Sequence, residues 1–363
     1  MSELINKFND FKASMEKGQL IGIDIGLSAI KIAILEDSKK GQFKLLKYRS
    51  IPLSEASIIE DEIQKPEEII EAISETMKLF KEKKKIVCLG LDGPNTVTKR
   101  IQVPDGVDEE VEDNILWESE QYIPFGADDA EIGFSIIGRI EEDDIVDSIV
   151  GAAKSSVIQK YIGYIAEAGL YVKTVDLNCF ALVNVFENYL GDRFYEVSDS
   201  GAIIMDFGAQ YTSIIVYKNA GPVLTKEVNI GGVLVTEEIQ RTMGVSYEEA
   251  EDLKIFGDDN GNLPEELMSI IEIHNDKLMD ELRKILNFYI AAGSSEQASY
   301  CFVTGGSSKL PGVLEGVSKL VDLDVEEIDP LETIEVKGKF SEEEIESIRT
   351  CGIVALGLGM RKI

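Results

Sequence analysis

The sequence predicts an α/β protein in which one supersecondary unit occurs twice, with a compact insert interrupting the first copy. Two observations carry this. An apolar strand ends in Asp-x-Gly in "IGIDIGLSAIK", from Ile21, and again in "IIMDFGAQYTSIIV", from Ile203. Each is followed by two more strand-like stretches and then by a helical pattern, so a whole meander recurs, roughly 180 residues apart.

The elements follow in order. Leu4, Phe8, Phe11 and Met15 stand at helical spacing in residues 1–18, an amphipathic segment expected to pack on the body. The first meander is "LIGIDIG", "SAIKIAILED", a lysine-rich turn "SKKG" and "QFKLLKYRSIPL". "KPEEIIEAISETMKLFKEKK" reads as a helix opened by Pro66 with Glu67 and Glu68 in its first turn and closed by lysines, as the helix dipole favours. "KIVCLGLDG" has the continuous apolar run of a strand covered on both faces. From about Lys99 to Val150 the character changes to strand, helix "GVDEEVEDNILWESEQYI", breaker "IPFG" and two strands about the acidic turn "EEDD", the predicted insert. Helix "SSVIQKYIGYIAEAGL", strand "YVKTVDL" and helix "NCFALVNVFENYLG" lead to the second meander, "AIIMDFG", "YTSIIVYKNAG" and "PVLTKEVNIGG". Helices fill residues 245–296, then "CFVTGGSSKLPGVLEGV" gives strand, glycine turn and helix. One closing helix, "SEEEIESIRTCGIVALGLGM", has small residues that permit close approach to a neighbour.

Composition narrows the function. The 363 residues carry 67 acidic against 36 basic side chains, a net charge of −31 that repels nucleic acid phosphates and anionic headgroups, so no nucleic acid partner and no direct membrane binding are expected. Neither a membrane-length apolar run nor a signal-like start occurs, and the expected location is the cytoplasm. Cys88, Cys179, Cys301 and Cys351 are scattered singly and read as reduced core residues. The single histidine, His274, lies in a polar helical stretch and is expected at the surface; alone it supports neither a zinc site nor a His-based triad.

An Asp at a strand end, followed by a glycine turn and a second strand, presents a carboxylate beside backbone amides freed from the ladder. Such amides bind phosphate, and the carboxylate can hold a hydrated magnesium ion. The first hairpin supplies Asp24, Gly26, Ser28 and Lys31, whose ammonium is a point charge for terminal phosphates; the second supplies Asp206, Gly208, Ala209 and Thr212. "GGSSKLPG", from Gly305, adds a third glycine turn that lets a flat base or ribose approach the backbone. Asp176, the carboxylate nearest the helix "NCFALVNVF", is expected to cap it, which leaves no group placed to activate water. Trp117, Tyr122, Ile123 and Phe125 are expected to pack in the core of the insert, the alternative being that they line the groove beside it.

These three motifs resemble those of the superfamily of actin, the heat-shock chaperone ATPases and the sugar kinases. Within it the chain is similar to the PilM family of the type IV pilus assembly platform, related to the division protein FtsA, in "EQYIPF", "VDLNCFAL" and "GGVLVTEEIQRTMGVSYEEAEDLK". The resemblance implies two actin-like (ribonuclease-H-like) domains around a nucleotide cleft, with an inserted subdomain of the FtsA and PilM type. It divides the chain into the helix 1–18, domain I at 19–99 and 154–200, the insert at 100–153, domain II at 201–340, and a helix at 341–363 returning to domain I. It also implies ATP and Mg as cofactors. Asp24 and Asp206 would orient magnesium through water, with Gly26, Leu27, Ser28, Lys31, Gly208, Ala209 and Thr212 on phosphates. Gly231, Gly232, Glu251, Lys254, Gly305, Gly306 and Ser307 would surround adenosine. The implied function is a scaffold, at most a slow ATPase, recruited to the inner membrane by docking the N-terminal cytoplasmic segment of a PilN-like protein in the groove between the insert and the first domain, with self-association open. An FtsA-like filament protein and a sugar or acid kinase are the alternatives; the first is disfavoured by an ending, "GLGMRKI", without an amphipathic membrane helix, the second by the missing base.

Overall fold

The computed structural model describes residues 20–38, 42–258, 261–291 and 298–362; the predicted helix at 1–18 and most of the lysine-rich turn lie outside the described residues. The chain divides into two compact units, residues 1–191 with 329–363, and residues 192–328.

The first unit is built on β1 (Ile21–Ile25), β2 (Ala29–Asp37), β3 (Phe43–Pro52), the two-residue strands β4 (Ile58–Ile59) and β5 (Glu62–Ile63), helix α1 (Pro66–Phe80) and β6 (Ile86–Leu91). The insert follows as β7 (Thr96–Pro104), α2 (Asp108–Ser119), β8 (Ala130–Ile140) and β9 (Ile145–Lys154), and α3 (Ser155–Glu167), β10 (Tyr171–Leu177) and α4 (Asn178–Leu190) complete the run. The main sheet has the order β10-β6-β1-β2-β3, extended by Glu335–Val336 beside β3. The β1–β2–β3 meander is antiparallel, whereas β1, β6 and β10 are parallel and share one carboxyl end.

Alternation fixes what each face meets. Ile21, Ile23 and Ile25 on β1 join Ile30, Ile32 and Ile34 on β2 in a core with Ile69 and Ile73 of α1 and Ile165 of α3. Each such side chain contributes about 1.5–3 kcal/mol by leaving water. Gly22 faces the other way, against the closing helix Ile353–Gly359: a Cβ there would sit 2.1 Å from the Ala355 carbonyl, and one on Gly357 only 1.9 Å from that of Ala181. The small residues noted in the sequence thus bring this helix onto the sheet and α4. The single closing helix expected is two, Glu342–Cys351 and Ile353–Gly359, because the backbone turns at Gly352; Ser341 and Glu344 form a capping box at the start of the first.

In the insert the sheet order is β7-β9-β8, and α2 covers one face through Val111 and Ile115 against Ile101, Val103, Val146 and Val150. Arg100 forks onto Asp147 across β7 and β9, with Nε 3.0 Å from each carboxylate oxygen.

The second unit begins with α5 (Phe194–Ser200) and has β11 (Ala202–Phe207), β12 (Thr212–Lys218), β13 (Gly221–Val228), α6 (Gly232–Met243), α7 (Tyr247–Phe256), α8 (Glu265–Ala291), β14 (Tyr300–Thr304), α9 (Val313–Val321) and β15 (Val325–Glu327). Its sheet order is β13-β12-β11-β14-β15, the same meander-plus-parallel arrangement as in the first unit. One face, with Ile203, Met205, Phe207 and Ile214, packs on α6, α8 and α9. His274, expected at the surface, is buried on the inner side of α8 at 8% exposure, in line with Leu267, Ile271 and Leu278. Among the described residues no helix is long and apolar enough to cross a membrane.

Candidate functional site

In the first unit the hairpin register sets Asp24 opposite Lys31, both on the face away from the isoleucine core. The Lys31 ammonium lies 3.3 Å from Asp24 Oδ2, and both side chains are nearly buried. Burial by itself would lower the Lys31 pKa; the charge of Asp24 beside it reverses this and holds Lys31 above its ordinary value. The turn closes with the Gly26 amide donating to the Ala29 carbonyl at 3.2 Å. A Cβ on Gly26 would come within 3.1 Å of the Lys31 Nζ, so the turn lies close against that ammonium. Leu27 and Ser28 are half-buried at the tip of the turn, and the Ser28 carbonyl is held by the Leu53 amide.

Beside Asp24, one residue beyond the paired Ile23 and Leu89, lies Gly90. A Cβ on it would strike Asn178 Oδ1 at 2.2 Å. Asn178 opens α4, donates from Nδ2 to Asp92 Oδ2 at 2.9 Å, and keeps a buried Oδ1 without a partner among the described residues. Asp176 does not cap α4. Leu177 holds the cap position, while Asp176 accepts the Leu177 amide and the Arg361 guanidinium at 2.5 Å, tying the end of the chain to β10.

The second hairpin repeats the turn, with the Gly208 amide donating to the Tyr211 carbonyl at 2.9 Å. Counting from that turn, the residue opposite Asp206 is Ser213, in the place Lys31 has in the first hairpin. Thr212 takes the place of Ile30 on the core face, fully buried, and its Oγ1 donates to the Ile230 carbonyl at 2.7 Å. The threonine therefore holds the strand that leads to Gly231, and Ser213 is the residue set opposite Asp206.

The remaining expected residues of this unit are brought together. The amides of Gly232 and Val233, which start α6, donate to the carbonyls of Gly208 and Ala209 at 3.1 and 2.9 Å. Ser307 Oγ donates to the same Gly208 carbonyl at 2.9 Å. A side chain on Gly231 would meet backbone, its Cβ 2.4 Å from the Ala209 carbonyl, and one on Gly232 would lie 2.3 Å from Ser307 Oγ and displace that hydroxyl. Lys254 reaches back from α7 to Thr236 Oγ1 at 2.8 Å, to the Gly232 carbonyl at 3.3 Å, and to Glu251 at 2.5 Å. Thr236, which also donates to Glu251, is a second member the sequence did not single out; its place one turn after the double glycine is the signal that would have found it.

Gly305 has φ 92°, a conformation glycine adopts freely, and a Cβ on it would meet Asp206 Oδ1 at 2.4 Å. Gly306 is exposed just after it, at the start of the short turn Gly306–Lys309. Thr304, in register with Asp206 on β14, is buried with its hydroxyl unpartnered among the described residues. His274 completes the surroundings: burial first, then the charges of Lys254 and Lys277, push its pKa down to about 4.

The insert departs from expectation. Trp117 is 68% exposed and Tyr122 is 40% exposed, the latter under the Lys99 ammonium at 5.0 Å. The core takes Val111, Ile115 and Ser119 of α2, which leaves position 117 on the opposite side of the helix. Ile123 and Phe125 are half-buried.

Comparison with known proteins agrees with this architecture. The family described as type IV pilus assembly protein PilM matches residues 22–363. A solved PilM-PilN type IV pilus biogenesis complex is 25% identical with a TM-score of 0.80, covering 94% of this chain and 99% of that one. The ethanolamine utilization protein EutJ from Carboxydothermus hydrogenoformans shares the fold at 13% identity and a TM-score of 0.54, covering 95% of this chain and 90% of its own. The actin-like α/β fold read from the motifs is borne out.

Proposed function

This chain belongs to the family of type IV pilus assembly protein PilM, and from that premise we propose that it is an ATP-binding scaffold of the pilus assembly platform that docks the N-terminal cytoplasmic segment of a PilN-like inner-membrane protein. The observation that carries the nucleotide part is the convergence, within one unit, of the Gly208 turn, the Gly231–Gly232 helix start, the Glu251–Thr236–Lys254 cluster and Ser307. There Gly231, Gly232, Glu251, Lys254, Gly305, Gly306 and Ser307 surround adenosine, and Gly208 and Ala209 face phosphate, with Ser213 in the role first given to Thr212. In the other unit Gly26, Leu27, Ser28 and Lys31 hold phosphate.

The donor set suits magnesium rather than a tightly ligated metal. Each hairpin offers one carboxylate, Asp24 or Asp206, and among the described residues no group of three acidic, His or Cys side chains could hold an ion. An ion bound mainly by water and phosphate, with one carboxylate orienting that water, is the coordination magnesium prefers. When bound, it neutralises phosphate charge. The buried Thr304 hydroxyl, in register with Asp206 and without a partner among the described residues, is the feature that supports a polar ligand beside it.

Turnover is slow or absent, because Asp176 is tied to Arg361 and Asn178 is no base. The membrane is reached through the partner. That assignment is supported by the family and by the similarity to a complex whose name includes PilN. Calorimetry with ATP and magnesium, with and without a synthetic peptide of the PilN-like N-terminal segment, tests both parts. Micromolar binding of each ligand is expected, and the absence of both would refute the proposal.

A further inference from the structure

Five of the eight residues from Lys78 to Lys85 are lysines, in a chain where only 36 of 363 residues are basic. The run closes α1 and leads into the amino end of β6. A helix dipole accounts for a lysine in the last turn, Lys78, but not for Lys83, Lys84 and Lys85, which lie beyond the helix. Lys78, Lys81, Lys83 and Lys85 are exposed and make no ion pair among the described residues. Glu82, the one carboxylate in the run, is held by Lys47 at 3.2 Å and by the Lys83 and Lys84 amides at 2.8 and 3.1 Å. Leu79 stands among these lysines, 61% exposed.

The far end of the insert is opposite in charge and alike in form. β7 and β8 run outward and β9 returns to the body, so that Pro104 and Ile140 both face Ile145 at the tip. There the end of β7, the first turn of α2 and the turn between β8 and β9 come together, the Asp105 amide donating to the Asp144 carbonyl at 2.7 Å. They gather Asp105, Asp108, Glu109, Glu110, Glu141, Glu142, Asp143 and Asp144 around one base, Arg139, which pairs with Asp105 and Asp108. The other six carboxylates are exposed and have no ion pair among the described residues. Val107 stands among them, 63% exposed. An apolar centre ringed by polar groups is the plan of a specific interface. Here two such surfaces carry opposite charge.

Both surfaces belong to the first unit, yet they do not meet within one chain. No ion pair joins them among the described residues, and the lengths of β6 and β7, about 20 and about 30 Å, lie between them along the fold. We propose that they meet between copies, the lysine cluster of one chain receiving the acidic insert tip of the next, with Leu79 packed against Val107. The contact joins two different surfaces, so each copy keeps one of each free and copies add head to tail. An extended polyanion such as a bilayer or a nucleic acid would be pressed against a body of net charge −31 and repelled. A projecting tip presents its own carboxylates and holds the bodies apart. At about 0.15 M salt the Debye length is about 8 Å, so the touching charges attract while the bodies are screened from one another. Neither nucleotide nor the membrane partner is required.

Sedimentation of the full chain tests this against salt and charge. The average mass is expected to rise with protein concentration at about 0.15 M salt. It should rise less at about 0.01 M, where repulsion between like bodies reaches about 30 Å, and less again at about 1 M, where the contact itself is screened. Lys81→Glu/Lys83→Glu/Lys85→Glu and Glu141→Lys/Glu142→Lys/Asp143→Lys should each weaken self-association at least about tenfold, with Tm unchanged. Mixed in equal amounts the two should associate again, because the unaltered tip of one meets the unaltered cluster of the other and the two reversed surfaces also match. Leu79→Ser should weaken association several-fold. A parent that is monomeric up to about 1 mM at all three salt concentrations, variants that associate as the parent does, or a mixture that stays monomeric overturns the proposal. Pelleting of the parent with phosphatidylglycerol vesicles, lost in the lysine variant, assigns the cluster to lipid and also overturns it.

Discussion

His274 is the only histidine in the chain, so its titration can be followed without interference. It lies on the buried face of α8, and burial, reinforced by Lys254 and Lys277, lowers its pKa from 6.5 to about 4. Because the folded value lies below the unfolded one, the unfolded chain binds the proton more readily. The stabilisation is complete above pH 6.5 and is lost as pH falls through about 4. Linkage with these two values gives a loss of about 2 kcal/mol at pH 5, approaching about 3 kcal/mol near pH 4. His274→Leu removes the titrating group while keeping an apolar side chain on the core face. Urea unfolding of both proteins at pH 7, 6 and 5 should show the parent losing about 2 kcal/mol more than the variant between pH 7 and pH 5. The imidazole proton resonances should remain those of the neutral ring down to about pH 5. Parallel stability profiles for the two proteins, or an imidazole midpoint near 6.5, would refute the reasoning.

Asp24→Asn leaves the Lys31 ammonium buried without its counter-charge and should destabilise the nucleotide-free protein by about 3 kcal/mol, with much of this recovered in Asp24→Asn/Lys31→Met; additive effects in denaturant unfolding would remove the pair as the cause. Gly357→Ala places a Cβ against the Ala181 carbonyl and should cost at least about 1–3 kcal/mol, read as a fall in Tm of several degrees. Lys254→Met should weaken ATP binding about tenfold or more in calorimetry, while Lys226→Met, on β13, should leave it unchanged. Chelating magnesium should weaken ATP binding to the parent protein, and an affinity indifferent to chelator would exclude the water-mediated role of Asp24 and Asp206.

What the sequence disclosed and what it hid divide along one line. The duplicated meanders were legible because an aspartate at the end of an apolar strand is conspicuous, and the insert because turn residues and acidic runs break the pattern around it. The side a residue faces was harder. Thr212 and Ser213 are neighbours, and only the count of residues in the turn decides which one stands opposite Asp206; a shift of one exchanges the faces. His274 reads as a surface residue because Asn275, Asp276 and Lys277 follow it, although Leu267, Ile271 and Leu278 put it on the apolar stripe. Trp117 was misplaced the opposite way: a large aromatic invites a core assignment, yet the period of α2 from Val111 to Ile115 turns it outward. Asp176 and Arg361 are 185 residues apart, a pairing that no local pattern encodes.

The acidity of the chain becomes interpretable once it is placed on the fold. If the net charge of −31 served only to keep the protein soluble, it would be distributed with surface area, and residues 99–154 would carry about five of those charges. They carry −12. The excess lies on the insert, while the core of the same module is ordinary, with isoleucine and valine from three strands and one helix. Mutual repulsion among these carboxylates destabilises the insert, and the buried Arg100–Asp147 pair offsets little of it, since a buried ion pair stabilises weakly against an apolar substitute. The same repulsion makes salt a direct test: screening should stabilise the insert, so that Tm rises with ionic strength, and a Tm indifferent to salt would remove the charge as a destabilising influence.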